Sequence, residues 1–164
     1  MNSPQDPDSI ARDIIDSISY MAIGTADELG QPWVSPVYFA SEKYKEFYWI
    51  SSPESRHSQN IKVRPQVSLV IFDSRIPVGQ GQAVYISAIA EEVREADLGH
   101  SLEIYNGRFQ NPAEHGVYRV VQENVQAPAL YRLYRASALE HWILDRDSHP
   151  DRRIPVTLSN MGEL

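Results

Sequence analysis

The sequence predicts a small, mostly antiparallel β-barrel with helical additions. Short runs of β-branched and aromatic residues alternate with turn residues, a pattern typical of antiparallel sheets. One short helical segment, residues 55–64, interrupts the series between the third and fourth strands. Apolar residues alternate cleanly over 84–90 and indicate one long central strand, so the strands dominate and the helices are additions.

Length and composition are those of an ordinary globular protein. The 164 residues suit one domain with a sizeable core, and we expect a single domain over residues 1–164. A net charge of −7 argues against general nucleic-acid binding, which needs a basic surface. The absence of cysteine excludes disulfides, thiolate metal sites and cysteine nucleophiles. Without a signal region or an apolar run near the roughly 20 residues that span a bilayer, we expect a cytoplasmic protein without membrane contact.

Periodicity and turn residues divide the chain into predicted elements. These are helix Ser9–Ser19, strands Tyr20–Thr25, Trp33–Phe39 and Phe47–Ile50, the 55–64 helix, strands Val67–Phe72 and Gln82–Val93, helix Ala96–Phe109, a second helix from Asn111, and strands Leu130–Arg135 and Leu139–Leu144. We expect Asp8 or Ser9 to cap the first helix. Residues 1–8 are predicted to be a loose arm and residues 146–164 a polar tail.

Two prolines and one two-faced strand carry positional information. Pro32 and Pro36 place the second strand at a sheet edge or a bulge, because proline cannot donate to a ladder. Along the 84–90 strand both rows of side chains are largely apolar at the centre. We therefore expect both faces to be covered, one by the barrel interior and the other by a subunit partner.

The turn into the 55–64 helix concentrates polar chemistry. A helix N-terminus offers unpaired N–H groups and the positive end of a dipole, which favour anions. Ser51, Ser55 and Ser58 add hydroxyls there, Arg56 adds a planar cation that matches phosphate, and His57 adds a titratable ring. The pattern suggests a phosphate site. An ordinary capped helix with a solvated Arg–His pair is the alternative interpretation.

Three segments in the same order resemble one known family. Ser52–Phe72, Met21–Phe39 and Val84–Val93 are similar to the flavin-phosphate segment, the first hairpin and the long strand of the pyridoxamine 5′-phosphate oxidase-like family, the FMN-binding split barrels. The resemblance implies a six-stranded, antiparallel, Greek-key-type split barrel. It also implies a homodimer with FMN at the interface.

The resemblance assigns expected roles to individual residues. Arg56 falls on the phosphate-binding arginine, and His57 falls where many members have lysine. Gln82 lies within one residue of a family glutamine that reaches the flavin, and Trp142 lies near a family tryptophan that packs on the flavin across the dimer. The alternative for Gln82 is a surface amide. The alternative for Trp33 is a core or interface aromatic. The complete predicted cofactor-binding set is Trp33, Val34, Ser35, Pro36, Ile50, Ser51, Ser55, Arg56, His57, Gln59, Gln82 and Trp142. Of these, residues 33–36 belong to the strand that lines the isoalloxazine ring.

Two departures argue against vitamin B6 oxidation. The true oxidases carry a C-terminal Arg-x-His-x-Arg element, whereas this chain has Asp151–Pro155 with only Arg152 and Arg153 nearby. Where the oxidases place a substrate-contacting lysine, this chain has Tyr38-Phe39-Ala40. These departures from the family pattern therefore favour a different small substrate.

The expected function is that of an FMN-dependent oxidoreductase, with hydride transfer at flavin N5. Electrons would come from NADH, NADPH or the substrate, and the residues point to no catalytic side chain. The alternatives are a flavin, deazaflavin (F420) or haem carrier or sensor, and a ligand-free structural or interaction protein. Haem would need an axial ligand such as His100 or His115; the histidines show no metal-site spacing.

Overall fold

The computed structural model describes residues 6–109, 119–145 and 152–158, and within these ranges the chain is mostly β. The elements in chain order are α1 (Pro7–Ser17), β1 (Tyr20–Ala26), β2 (Pro32–Tyr38), β3 (Ala40–Glu42), β4 (Glu46–Ser51), α2 (Arg56–Val63), β5 (Gln66–Phe72), β6 (Ala83–Glu92), α3 (Glu95–Gly107), a 3₁₀ turn (Gln122–Asn124), β7 (Arg132–Asp145) and β8 (Arg152–Val156). Among the described helices, none has the length and apolar character needed to cross a membrane.

The eight strands of the described ranges form one antiparallel sheet. Hydrogen-bonded neighbours follow the order β2–β1–β5–β6–β7–β4–β3, and β8 pairs with β7. The sheet curls until β2 contacts β4, although these two strands are not neighbours in the sheet. The predicted class, a mostly β barrel with helical additions, is confirmed. The short strands β3 and β8 are additions to the strands that the sequence predicts.

Alternation along the strands separates an inward row from an outward row. The inward side chains, among them Trp49, Leu69 and Ile86, are buried and form the main core. Helix α1 closes this core with Ala11 and Ile15. Strand order and alternation thus place one row of every central strand inside the barrel.

Helix α3 covers a second core on the outer side of β3 and β4. Leu98, Leu102 and Tyr105 are buried against Tyr48 and Leu133. The predicted phase of this helix is confirmed, because its three apolar positions face the sheet together. The predicted helix from Asn111 falls in residues 110–118, outside the described residues.

The start of α1 corrects the predicted boundary. The helix begins at Pro7, and the Asp6 side chain, rather than Asp8 or Ser9, caps it by accepting from the Ser9 N–H at 3.2 Å. Proline fits the first helical position because its missing N–H would be unpaired there anyway. Residues 6–8 therefore belong to the helix start and not to a loose arm.

Strand β2 resolves the proline question in favour of the edge. It pairs only with β1, and the register from Tyr20↔Tyr38 to Ala26↔Pro32 runs without interruption. Pro32 and Pro36 lie on this edge strand, so the first of the two predicted alternatives holds and β2 has no bulge in its pairing with β1. Gly30, in the preceding turn, has a positive φ of 80°, which glycine adopts without steric cost.

The last two predicted strands are one continuous strand, β7. The expected break at Ser137 is wrong, because Ser137 pairs with Glu46 of β4 and its hydroxyl donates to the Glu46 carboxylate at 2.7 Å. The irregularity lies two residues later. Ser87 pairs with Glu140 and Ala88 with Ala138, which leaves Leu139 as an unpaired bulge residue that is 64 % exposed.

Part of the predicted polar tail is strand β8. Pro155 argues against a strand in the sequence. Proline is tolerated here because β8 is an edge strand that pairs only with β7. Arg152 forms a salt bridge to Asp145 at 2.7 Å. The Thr157 N–H donates to the Asp8 carboxylate at 3.0 Å, which ties the strand to α1.

Candidate functional site

Helix α2 forms where the sequence predicts it. Ser55 is extended, and its hydroxyl accepts from the Ser58 N–H at 3.4 Å. Arg64 leaves the helical region before Pro65, as the steric demand of proline requires. The helix therefore presents its N-terminus beside the end of β4, where Ser51 lies.

His57 joins the two sides of this turn. Its Nε2 lies 2.7 Å from the Ser51 Oγ and 3.2 Å from the Ser55 Oγ. The residue is buried, and desolvation lowers the pKa of its imidazole below the usual value for histidine. At neutral pH the ring is therefore uncharged and forms hydrogen bonds with two hydroxyls.

Arg56 and Trp33 come together, although the sequence separates them widely. The Arg56 guanidinium carbon lies 4.5 Å from the centroid of the Trp33 ring, a cation–π contact. The Trp33 Nε1–H donates to the Ser35 Oγ at 2.9 Å. Arg56 is exposed and Trp33 is 40 % exposed, so the pair presents a fixed cation and an aromatic surface to solvent. We call Trp33, Ser51, Ser55, Arg56 and His57 the α2 corner.

Gln59 and Ile50 flank the α2 corner in different ways. The Gln59 side-chain amide donates to the Pro53 carbonyl at 2.6 Å and so braces the turn before α2. Ile50 alternates with Ser51 along β4 and lines a separate cavity of about 420 Å³ with Val125, Leu130 and other residues of the 119–131 segment. Both residues stay predicted cofactor contacts.

A groove runs over the outward face beside the α2 corner. Its volume is about 520 Å³, and it is lined by Gly24, Thr25, Ala26, Pro32, Trp33, Val34, Gln66, Val67, Ser68, Ser87, Ala88, Ile89 and Leu139. Small residues at the centre make its floor flat, while Val34, Ile89 and the bulge residue Leu139 are exposed at its sides. A flat apolar floor beside an edge strand suits a planar ring, whose polar rim can meet free backbone groups. We call it the outer groove; Pro36 continues the same outward row of β2.

Gln82 and Trp142 lie elsewhere in the sheet. The Gln82 amide donates to the Leu144 carbonyl at 2.7 Å, and its oxygen accepts from the N–H groups of Leu144 and Ala83. Trp142 pairs with Tyr85 on one side and Pro155 on the other. These bonds give Gln82 a clear structural task in joining β6 to β7. A flavin contact by either residue stays a prediction.

Sequence reasoning missed a buried polar chain next to the α2 corner. The Asn60 amide donates to the Thr25 hydroxyl at 3.0 Å, and that hydroxyl donates to the Trp33 carbonyl at 3.3 Å. Asn60 lies one turn after Arg56 on a helix whose other buried residues are His57, Ser58 and Ile61. A polar residue on the buried side of a short helix is the signal that could have revealed it.

Two further charged or titratable residues that the sequence singles out, His100 and Arg153, make side-chain contacts. His100 Nε2 lies 3.0 Å from the Glu42 carboxylate. The Arg153 guanidinium lies 4.1 Å from the Tyr85 ring centroid. His115 and His149 fall outside the described residues. Over residues 6–109, 119–145 and 152–158, no group of three or more His, Cys, Asp or Glu side chains could hold a metal ion.

Comparison with known proteins identifies the family. The family model described as pyridoxamine 5′-phosphate oxidase matches residues 9–131, so the chain belongs to the pyridoxamine 5′-phosphate oxidase-like family. No curated protein matches the chain.

Solved structures show the same fold at low sequence identity. The haem storage protein HutZ of Vibrio cholerae is 20 % identical, with a TM-score of 0.59 over 78 % of this chain and 87 % of that one. A haem-binding protein of Mycobacterium smegmatis is 14 % identical, with a TM-score of 0.69 over 96 % of this chain and 60 % of that one. An F420 reductase is 16 % identical, with a TM-score of 0.57 over 85 % of this chain and 98 % of that one. At these identities the likeness establishes the fold alone.

Proposed function

We propose that this chain is an FMN-dependent oxidoreductase that acts as a homodimer on a small substrate other than pyridoxamine 5′-phosphate. The observation that carries the proposal is the α2 corner, where the exposed Arg56 guanidinium lies over Trp33 beside a helix N-terminus. A phosphate anchor and an aromatic surface next to a flat groove are the two features that a flavin mononucleotide requires.

The phosphate end of the cofactor fits the donors of the α2 corner. The N–H groups at the N-terminus of α2 and the Ser51 hydroxyl can donate to phosphate oxygens, and Arg56 supplies the planar cation. Since desolvation lowers the pKa of His57, Arg56 is the positive charge of the α2 corner at neutral pH. This local charge matters in a chain whose net charge is −7.

The ring end fits the outer groove. Val34 and Pro36 point outward from the edge strand β2, and the groove floor is built from residues as small as Gly24 and Ser68. Bound there, the flavin would supply the hydride chemistry. The residues of this chain would hold the ring, orient its N5 edge and keep water from one face, and we assign no protein group to proton transfer.

The exposure of apolar side chains and the layout of the sheet support the proposed homodimer. Ile89, Leu139 and Val34 are 36 %, 64 % and 64 % exposed on one outward face, an apolar area typical of an interface. Trp142 on β7 is separated from β2 by three intervening strands. At roughly 4.8 Å per strand step that is about 19 Å along the sheet. In the proposed site, the Trp142 that packs on a flavin beside Trp33 is that of a second copy of the chain, as the family resemblance implies.

A carrier or sensor for haem is the second candidate, and one observation favours it. Burial lowers the pKa of His141, and its Nε2 is buried with no hydrogen-bond partner among the described residues. A neutral imidazole with an unused nitrogen is the form that binds haem iron. His100, by contrast, is paired with Glu42. The similar structures named for haem make this candidate worth testing.

The visible absorption spectrum of the purified protein, before and after addition of FMN, tests the proposal. We expect a bound-flavin spectrum that is bleached by NADH or NADPH without oxygen. A flavin spectrum that neither nucleotide bleaches would favour the carrier or a different electron donor. A Soret band that His141→Ala removes would favour haem. A deazaflavin spectrum would favour F420, and a colourless protein that ignores FMN would contradict the proposal.

A further inference from the structure

A closed chain of contacts links α2 to the strand that carries Trp33. Asn60 donates from its amide to the Thr25 hydroxyl at 3.0 Å, and Thr25 donates to the Trp33 carbonyl at 3.3 Å. Thr25 is 5 % exposed and Asn60 is 3 % exposed. The same helix touches the same tryptophan a second time, through the Arg56 guanidinium 4.5 Å from its ring.

The two hydrogen bonds, from Asn60 to Thr25 and from Thr25 to Trp33, have a fixed direction. A threonine hydroxyl has one proton and accepts through its lone pairs, so it can accept from Asn60 and donate to Trp33 at the same time. Because both side chains are buried, neither can replace a lost partner with bulk water. The contact between α2 and the Trp33 backbone is therefore fixed by groups that have no ready substitute.

Helix geometry lets α2 contact both the main chain and the ring of Trp33. Asn60 follows Arg56 by four residues on α2, so both side chains lie on the same side of the helix. One of them sets the Trp33 main chain through Thr25, and the other rests on the Trp33 ring. An exposed arginine has many rotamers, and this arrangement selects the one over the ring.

We propose that Thr25 and Asn60 are positioning residues that set the spacing between the phosphate end and the ring end of the cofactor site. They act through Trp33, and Thr25 also lies in the lining of the outer groove. The identity of the ligand in this inference rests on the proposed function, whereas the alignment of Arg56 with Trp33 does not. Neither residue belongs to the set that the sequence predicts.

The first test needs no flavin. The ring current of Trp33 shifts the NMR signals of the Arg56 side chain upfield in the wild-type protein, and Trp33→Ala identifies that shift. We expect Thr25→Val, which keeps the shape and removes the hydroxyl, to reduce the shift. Thr25→Ser, which keeps the hydroxyl, should preserve it. Thr157→Val makes the same chemical change at an exposed site and should leave it unchanged.

The second test measures FMN affinity in the same variants. We expect Thr25→Val to weaken FMN binding about tenfold, the size of one lost buried hydrogen bond, while Thr25→Ser stays near wild type. If the wild-type protein fails to bind FMN, the proposed function fails and the NMR shift alone judges the positioning role. If FMN binds and Thr25→Val changes neither the shift nor the affinity, the positioning role is wrong.

A double-mutant cycle separates this role from general loss of stability. If Asn60 acts through Thr25, Asn60→Leu and the double variant Thr25→Val/Asn60→Leu should reduce the Arg56 shift by the same amount as Thr25→Val alone. Additive effects would mean that the two residues act independently and would overturn the relay. Circular dichroism of each variant confirms that the compared chains are folded.

Discussion

The α2 corner and the end of the β6–β7 pair that carries Gln82 and Trp142, here called the β6–β7 edge, both hold residues that the sequence assigns to a cofactor. The two regions are built differently. At the α2 corner Arg56 stacks on Trp33 and stays exposed. At the β6–β7 edge the Gln82 amide is used by backbone groups of Leu144 and Ala83. The α2 corner has donors available to a ligand, whereas the polar groups of Gln82 are used in hydrogen bonds to the backbone of the sheet. Under the proposed function, the α2 corner would anchor the phosphate, while the second region would contribute mainly shape.

The largest expected effect is on assembly, because in the proposed site Trp142 meets the cofactor only across a dimer. Ile89→Lys places a charge on the outward apolar face and should convert a dimer at micromolar concentration into a monomer with weakened FMN binding. Analytical ultracentrifugation and FMN titration measure both results. Leu29→Lys, at an 82 % exposed turn position, is the control. A wild-type monomer at that concentration would contradict the dimeric site.

Removal of the Arg56 guanidinium should have the next largest effect, and that effect should be confined to the α2 corner. Arg56→Ala removes charge-assisted bonds of about 1.5–3 kcal/mol, so FMN affinity should fall roughly 10- to 100-fold. Fluorescence titration of FMN gives the dissociation constants. Arg75→Ala, at an exposed arginine that is paired with Asp73, should bind like wild type. Equal affinity in the Arg56 and Arg75 variants would remove Arg56 from the site.

Gln82→Leu should show the opposite profile, a loss of stability with little change in FMN affinity. Loss of the amide leaves the backbone of Leu144 and Ala83 short of partners, which costs about 1–3 kcal/mol. Urea unfolding followed by tryptophan fluorescence measures this change. Should FMN binding weaken by more than the loss of folded protein explains, the predicted flavin contact of Gln82 would gain support and the contrast between the two regions would narrow.

The smallest expected effect is a change in the pH dependence of stability. Burial lowers the pKa of His57, so the native state binds a proton less readily than the unfolded chain, in which histidine titrates near about 6.5. The stabilisation is complete above that pH and is lost as the pH falls through the folded pKa. His57→Asn should therefore show a flatter decline of Tm below about pH 6.5. Burial also lowers the pKa of His141, so the Tm of both proteins still falls somewhat with decreasing pH. Parallel Tm curves for the wild type and His57→Asn would contradict the lowered pKa of His57.

Local signals in the sequence predict most of the sheet and the turn at its centre. Ser55 caps α2 and Pro65 ends it, because capping and proline sterics depend on neighbours in the chain. The edge position of β2 follows from Pro32 and Pro36 for the same reason. The α2 corner could be predicted as a polar turn, and the family resemblance was needed to assign it to a flavin.

Features that depend on distant partners could not be predicted. Strand β8 exists because β7 offers it a free edge, and Pro155 in isolation indicates a loop. The bulge at Leu139 is set by pairing with Ser87 and Ala88, which no local pattern encodes. The contact between Thr25 and Asn60 spans 35 residues. Tertiary context decides each of these, so propensity alone misplaces them.

The measurement that tests the central claim most directly compares FMN with riboflavin, which lacks the phosphate, in titrations of the wild-type protein. If the α2 corner is a phosphate anchor, FMN should bind at least about tenfold more tightly, the gain expected from charge-assisted bonds to Arg56. Rising salt should narrow the gap, because Arg56 is exposed. Equal affinities at low salt, or no binding of either flavin, would contradict the account.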